Sequence, residues 1–326
     1  MESGKGLQKF SVSLSLEAFS RKVLRISNRV SFLKNKPAIL DWVSIIGLSA
    51  VWSSAFVFIK QTTPIFGAVG LVFMRLFISA VILSLLFIRP KHIKTIRDNI
   101  IPIFIVGATN VTIPFMFFAL SAYYINAGSM AVVNGSTPLF AFLFSILLLG
   151  FSFRWIQFLG ILMGIIGLII FVGVDALEFH PMANLSAVMG AMMYGLSMVY
   201  IFKLNFKDTK LMAAASMVAA TICIAPLLIF FPIPWDIVTT ESMISVIYLA
   251  TFCTGLAYIP YFILIRNVGP VSTSIIAMLV PVFGMLWAYV LLEEKITLLM
   301  SVGCLFIVIG ILMTNVIGNN NDKKSA

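Results

Sequence analysis

Apolar runs of about 20 residues recur along this chain, each bounded by a short polar or charged stretch. About 20 residues of helix span the ~30 Å hydrocarbon core of a bilayer. Ten such runs lie near 41–60, 67–88, 100–120, 126–149, 155–174, 182–202, 211–231, 243–265, 270–292 and 296–317. They are continuous rather than alternating with period two, which predicts helices and argues against a barrel. Segments three and four are separated only by the polar patch from Ser121 to Asn126, read as a turn.

The pattern is written twice. The stretch from Asn126 to Gly167 returns from Gly269 to Gly310, a constant 143 positions later. At that offset Pro138 falls on Pro281, Phe140 on Phe283, Gly160 on Gly303 and Gly167 on Gly310. Matching leucines mean little in so apolar a chain. Prolines and glycines held in register mean more, because each imposes its own backbone constraint. The opening helices of the halves echo more loosely. The run from Trp52 to Lys60 resembles that from Tyr194 to Lys203: an aromatic beside small residues, closing on a lysine.

Charge gives the topology. With the N-terminus in the cytoplasm and ten crossings, the inner loops and tails receive 19 of the 22 Lys and Arg. These include eight in residues 1–40, then Arg89, Lys91, Lys94, Arg97, Arg154, Lys203, Lys207, Lys210, Arg266, Lys323 and Lys324. The outer loops receive Asp175, Glu178, Asp236, Glu241, Glu293 and Glu294, with Lys295 among them. This is the positive-inside asymmetry. Five crossings per half is an odd number, so the second half inserts upside down. The expected fold is all-α and polytopic: ten transmembrane helices as two inverted five-helix repeats, 41–174 and 182–317. Cytoplasmic tails, 1–40 and 318–326, flank them.

Composition agrees. Hydrophobic residues make up 61% of the chain and charged residues 10%, against roughly 25% charged in soluble domains. The net charge of +10 is a topology signal rather than a nucleic-acid footprint. The leader lacks the short apolar core and cleavage site of a secretory signal; a basic segment there can meet anionic lipid or simply orient the first helix. Cys223, Cys253 and Cys304 sit in apolar runs without CxxC spacing, and His92 and His180 lie in loops. No metal site, cofactor or catalytic constellation is implied, so an enzyme is not expected.

Two halves related by an axis in the membrane plane can rock to open a central cavity to either side. The reading is therefore a transporter. Pro114, Pro138, Pro260 and Pro281 fall within segments three, four, eight and nine, in matched halves, and are expected to kink those helices around a central space. Polar groups at membrane depth are the candidate cavity: Trp52, Asn110, Asn134, Tyr194, Thr254 and Tyr258. Each can instead bond across helices as packing glue. Arg75 and Lys60 are candidate anion contacts or structural charges. Arg75 can pair with a carbonyl, reach the outer headgroups or meet an anionic substrate; Lys60 can snorkel. No carboxylate falls in any segment core, so transport is expected to be facilitated or coupled through other groups. Gly160, Gly164, Gly167, Gly303 and Gly310 predict close helix packing.

These features resemble the drug/metabolite transporter superfamily, specifically its EamA-type ten-helix transporters, over residues 41–317. The resemblance rests on the run from Trp52 to Lys60, on Phe73-Met74-Arg75-Leu76, on Pro138 and Pro281 before long apolar runs, on Leu291-Leu292-Glu293-Glu294, and on the glycines of segments five and ten. Ser53 stands where the family often has glycine, and Gly150-Phe151 replaces the acidic pair in the first half. The resemblance implies efflux of small metabolites, commonly amino acids or their derivatives, from a central cavity in a bacterial inner membrane, by a monomer or homodimer. The alternative is a carrier or flippase for a nucleotide- or lipid-linked anion. The expected partners are a small-molecule substrate and the lipid bilayer, not nucleic acid.

Overall fold

The computed structural model describes residues 38–292 and 297–314. The basic leader, Glu293, Glu294, Lys295 and the C-terminal lysines lie outside the described residues.

Every membrane-length run is helical. The first two are not separated by a loop. They form one 49-residue helix, Ile39–Phe87, broken at Gly67 (φ 69°, ψ 157°), giving α1 (39–66) and α2 (68–87). Then follow α3 (Ile100–Ser121), α4 (Ala127–Leu149), α5 (Trp155–Val172), α6 (Pro181–Leu204) and α7 (Thr209–Ile229). The chain continues through α8 (240–268), Gly269 (φ 84°, ψ 172°) and α9 (270–292), ending in α10 (Leu298–Leu312). Among the described residues seven helices are long and apolar enough to cross a bilayer, with two shorter apolar ones after them. The glycine breaks divide these into ten spans. Starts are fixed by caps: Asn126 Oδ1 accepts from Ser129 N (2.8 Å), Asp208 Oδ1 from Leu211 N (3.0 Å) and Thr239 Oγ1 from Ser242 N (3.2 Å). These side chains satisfy N–H groups that the first turn leaves without partners.

Cross-links between connections sort the helix ends onto two faces. On one, Asn267 donates to Asp41 (3.2 Å), Arg266 donates to the Lys207 carbonyl (2.8 Å) and the Lys210 ammonium lies over the Phe87 ring (5.8 Å). This joins the start of α1, the end of α2 and the α6–α7 and α8–α9 connections. On the other, Ala68 N donates to Tyr123 (3.0 Å), Asn126 donates to the Ala176 carbonyl (3.0 Å), and Ile233 packs against Gly70. This joins the α1–α2, α3–α4, α5–α6 and α7–α8 connections. Successive helices therefore cross alternately, and Arg266, Lys207 and Lys210 share one face.

One seam between the two halves runs along α5 and α10. A Cβ on Gly310 would lie 2.5 Å from the Gly160 carbonyl oxygen, and one on Gly303 would lie 2.7 Å from the Gly167 carbonyl oxygen. Gly160 is the repeat mate of Gly303, and Gly167 of Gly310. Exchanging the halves thus converts one contact into the other, as a two-fold axis between the helices requires. Outside this seam, apolar side chains such as Leu147, Ile244 and Leu305 are exposed, as expected where a helix faces lipid.

The prolines act differently from expectation. Pro138 is the second residue of a fresh helical run, Thr137–Leu149, after the chain has turned at Gly135 and Ser136, so it removes no intrahelical bond. Pro114 follows a π-helical turn, Gly107–Thr112, and Pro260 follows another, Thr251–Leu256. Pro260 and Pro281 lie inside regular helix. The carbonyls four residues before Pro114 and Pro138 are those of Asn110 and Asn134. Tyr258 donates to the first (3.4 Å) and Thr137 to the second (2.6 Å). Freed carbonyls inside a membrane protein need such partners.

Candidate functional site

A central cavity of about 70 Å³ lies between the two halves. The first half contributes residues of α1 to α4 and the second residues of α6, α8 and α9.

Its wall is aromatic. The Trp52 ring meets Tyr261 at 5.3 Å and Tyr258 at 6.2 Å, and those tyrosines stand 5.3 Å apart. Phe115 contacts Tyr258 and Tyr194, each at 6.4 Å, and Phe118 stacks on Tyr194 at 6.1 Å. The π-turn of α8 positions part of this wall. A π-turn withdraws backbone carbonyls from the regular ladder, and the Trp52 indole donates to one of them, that of Cys253, at 2.8 Å. Thr254 bonds back to the Leu249 carbonyl (2.9 Å), and in α3 Thr112 does the same to Gly107 (3.3 Å). Each threonine satisfies the carbonyl five residues before it.

Arg75 is the single charged side chain among the described residues of this wall. It is 6% exposed. Its Nε donates to Thr254 Oγ1, and its guanidinium carbon stands 3.9 Å from the centre of the Phe115 ring. A guanidinium over an aromatic face is held by cation–π attraction. Its two terminal nitrogens make no hydrogen bond to the described residues, yet neither is fully enclosed without a partner. They border the cavity.

Trp52, Asn134, Tyr194, Tyr258 and Arg75 come together around this space. Asn110 and Thr254 do not line it and stand behind the wall. Asn110 is fully buried and donates to Ser197 and to Tyr261 (3.0 Å), its Oδ1 unpartnered. Thr254 is occupied by Arg75. Lys60 does not line the cavity and donates to the carbonyls of Ala122 (2.8 Å) and Ile125 (3.1 Å) in the α3–α4 connection. Sequence reasoning missed Phe115 and Phe118, which line the cavity but look like any other apolar residue of a membrane helix. Their spacing at Phe115 and Phe118, one helical turn apart beside Pro114, was the available signal. Among the described residues no group of three or more His, Cys, Asp or Glu is placed to hold a metal ion.

Ten spans in two related halves, with a cavity between them, define a polytopic membrane transporter. The EamA-like transporter family model matches residues 39–173 and again 181–316, so this chain belongs to that family. It is 25% identical over 281 residues to an uncharacterized transporter, YoaV, of Bacillus subtilis (strain 168), covering 83% of this chain and 95% of that one. It is 24% identical to Protein PecM of Dickeya dadantii (strain 3937), covering 63% and 70%. An uncharacterized inner membrane transporter, YedA, of Escherichia coli (strain K12) is 29% identical over 49% of this chain and 52% of its own. One solved crystal structure superimposes with a TM-score of 0.69 at 19% identity, covering 84% of this chain and 97% of that one; that likeness speaks for the fold alone.

Proposed function

We propose that this protein is a secondary transporter moving small metabolites, amino acids or related compounds, across the cell inner membrane by alternating access. The proposed direction is efflux, with both termini cytoplasmic and the repeats spanning 41–174 and 182–317. One observation carries the reading: the cavity is built from both halves, so a rocking motion about the α5–α10 seam opens it to one side while closing it to the other. The shared basic face supports the orientation, since Lys and Arg concentrate in cytoplasmic loops. The inner-membrane assignment draws on the likeness to the Escherichia coli inner membrane transporter.

The test is efflux from cells loaded with labelled small metabolites. Faster loss in cells expressing the protein, abolished by a bulky substitution in the wall such as Ala277→Trp, supports the reading. Equal loss with and without the protein in both directions across all solutes counts against it.

A further inference from the structure

We infer that the cavity selects its substrate through a carboxylate, held by the free edge of the Arg75 guanidinium, and that the substrate is small. The inference rests on the central-cavity reading above.

Four observations lead there. Arginine remains protonated in proteins and carries five N–H donors in a planar fork. Arg75 spends only Nε on the protein, at Thr254. Phe115 fixes the plane of the fork from one side. The remaining edge faces the cavity, the geometry that receives two carboxylate oxygens side by side.

Second, no charged group on the described wall competes for that edge. Among the described lining residues there is no carboxylate. A charge buried without a partner is costly, so an anion entering the cavity supplies what the fold leaves out. A cation meets only repulsion from Arg75.

Third, the neighbouring hydroxyls are committed. Thr137 donates to the Asn134 carbonyl (2.6 Å), Thr273 to the Gly269 carbonyl (2.8 Å) and Ser274 to the Val271 carbonyl (2.8 Å). Asn134 Nδ2 makes no hydrogen bond to the described residues and is not enclosed, leaving a further donor on the same wall. Donors facing the space, rather than acceptors, suit an oxyanion.

Fourth, charge and size choose among oxyanions. One guanidinium balances one negative charge, whereas a phosphate dianion would need a second cation that the described lining lacks. The cavity volume of about 70 Å³ is about half that of a cavity known to take benzene, ~150 Å³. In the observed state it suits a carboxylate of propionate or alanine size.

The test is thermal unfolding of the detergent-purified full chain with propionate, pyruvate, alanine, propionamide, alaninamide and inorganic phosphate. A ligand that binds the folded state alone raises the apparent Tm. The expected result is a rise with at least one carboxylate, none with its amide, and a Kd weakened roughly 30-fold or more in Arg75→Gln. Arg75→Lys, which keeps the charge and loses the fork, should weaken binding less than Arg75→Gln. The comparison of acid with amide on the wild-type protein needs no variant, so a poorly folding Arg75→Gln does not undermine it. An equal rise with acid and amide, a rise with phosphate alone, or no rise with any carboxylate overturns the inference. The transport reading has its own outcome: amide binding that is lost in Ala277→Trp would keep the central cavity as a binding site while removing the carboxylate from it.

Discussion

Lys60 and Lys203 occupy equivalent positions in the two halves, 143 residues apart, and only Lys60 is engaged. Its ammonium donates to the carbonyls of Ala122 and Ile125 at 2.8 and 3.1 Å, while Lys203 is exposed at the end of α6 and makes no hydrogen bond to the described residues. The repeat mates of Ala122 and Ile125 are Ile265 and Val268, in the last turn of α8 on the opposite face. The pseudo-symmetry is therefore broken by one latch, closed at one face and open at the other.

Under alternating access the two lysines exchange environments. Lys60→Met is expected to destabilise the observed state by roughly 1–2 kcal/mol, and Lys203→Met by no more than about 0.5 kcal/mol. Thermal unfolding of the two variants checks this. A second readout is a cysteine at Phe118, within a turn of the latched connection, with the native cysteines changed to serine. Its reaction with an impermeant maleimide added at that face should quicken in Lys60→Met and not in Lys203→Met. Equal behaviour of the two lysines would remove the latch.

The α5–α10 seam has no room for a side chain. A methyl on Gly310 would sit 2.5 Å from the Gly160 oxygen and 2.7 Å from Gly164 N, all of it backbone. Gly310→Ala should therefore cost about 1–3 kcal/mol. Gly47 in α1 has nothing within 4 Å of a built Cβ, and Gly47→Ala should instead stabilise by about 0.4–1 kcal/mol. Melting curves of the two single variants compare them directly; the same sign for both would contradict the packing described.

Asn110 and Asn134 separate fold from binding. Asn110, fully buried, joins α3 to α6 and α8 through Ser197 and Tyr261. Interhelical hydrogen bonds in membranes average about 0.6 kcal/mol each, so Asn110→Ala should lower stability by roughly 1–2 kcal/mol. Asn134→Ala should leave the Tm within a degree or two and weaken ligand binding. Paired melting and titration experiments decide it, and the reverse assignment would mean the cavity wall has been drawn in the wrong place.

Much of the fold was legible because a bilayer leaves few choices: run length gave the spans, Lys and Arg gave the crossings, and Gly160, Gly167, Gly303 and Gly310 in register gave the seam. Arg75 stood out because a charge two turns into an apolar run needs a reason. What escaped was orientation around each helix axis. Asn110 and Thr254 are polar and buried like Asn134, but they lie within the π-turns at 107–112 and 251–256 and do not line the cavity, and no composition signal marks a π-turn. At Pro138 the chain has already turned at Gly135 and Ser136, two to three residues earlier, and the position of a proline alone does not reveal that. Phe115 and Phe118 escaped because phenylalanine is ordinary on any face of a membrane helix, and only their one-turn spacing beside Pro114 sets them apart.

The measurement that tests the central claim most directly is counterflow in proteoliposomes. Vesicles preloaded with unlabelled propionate or alanine are diluted into a trace of the labelled solute, with and without preloading. A cavity that faces one side at a time predicts transient accumulation of label above equilibrium in preloaded vesicles, abolished by Ala277→Trp. Flux that ignores preloading, or accumulation that survives closure of the cavity, would contradict it.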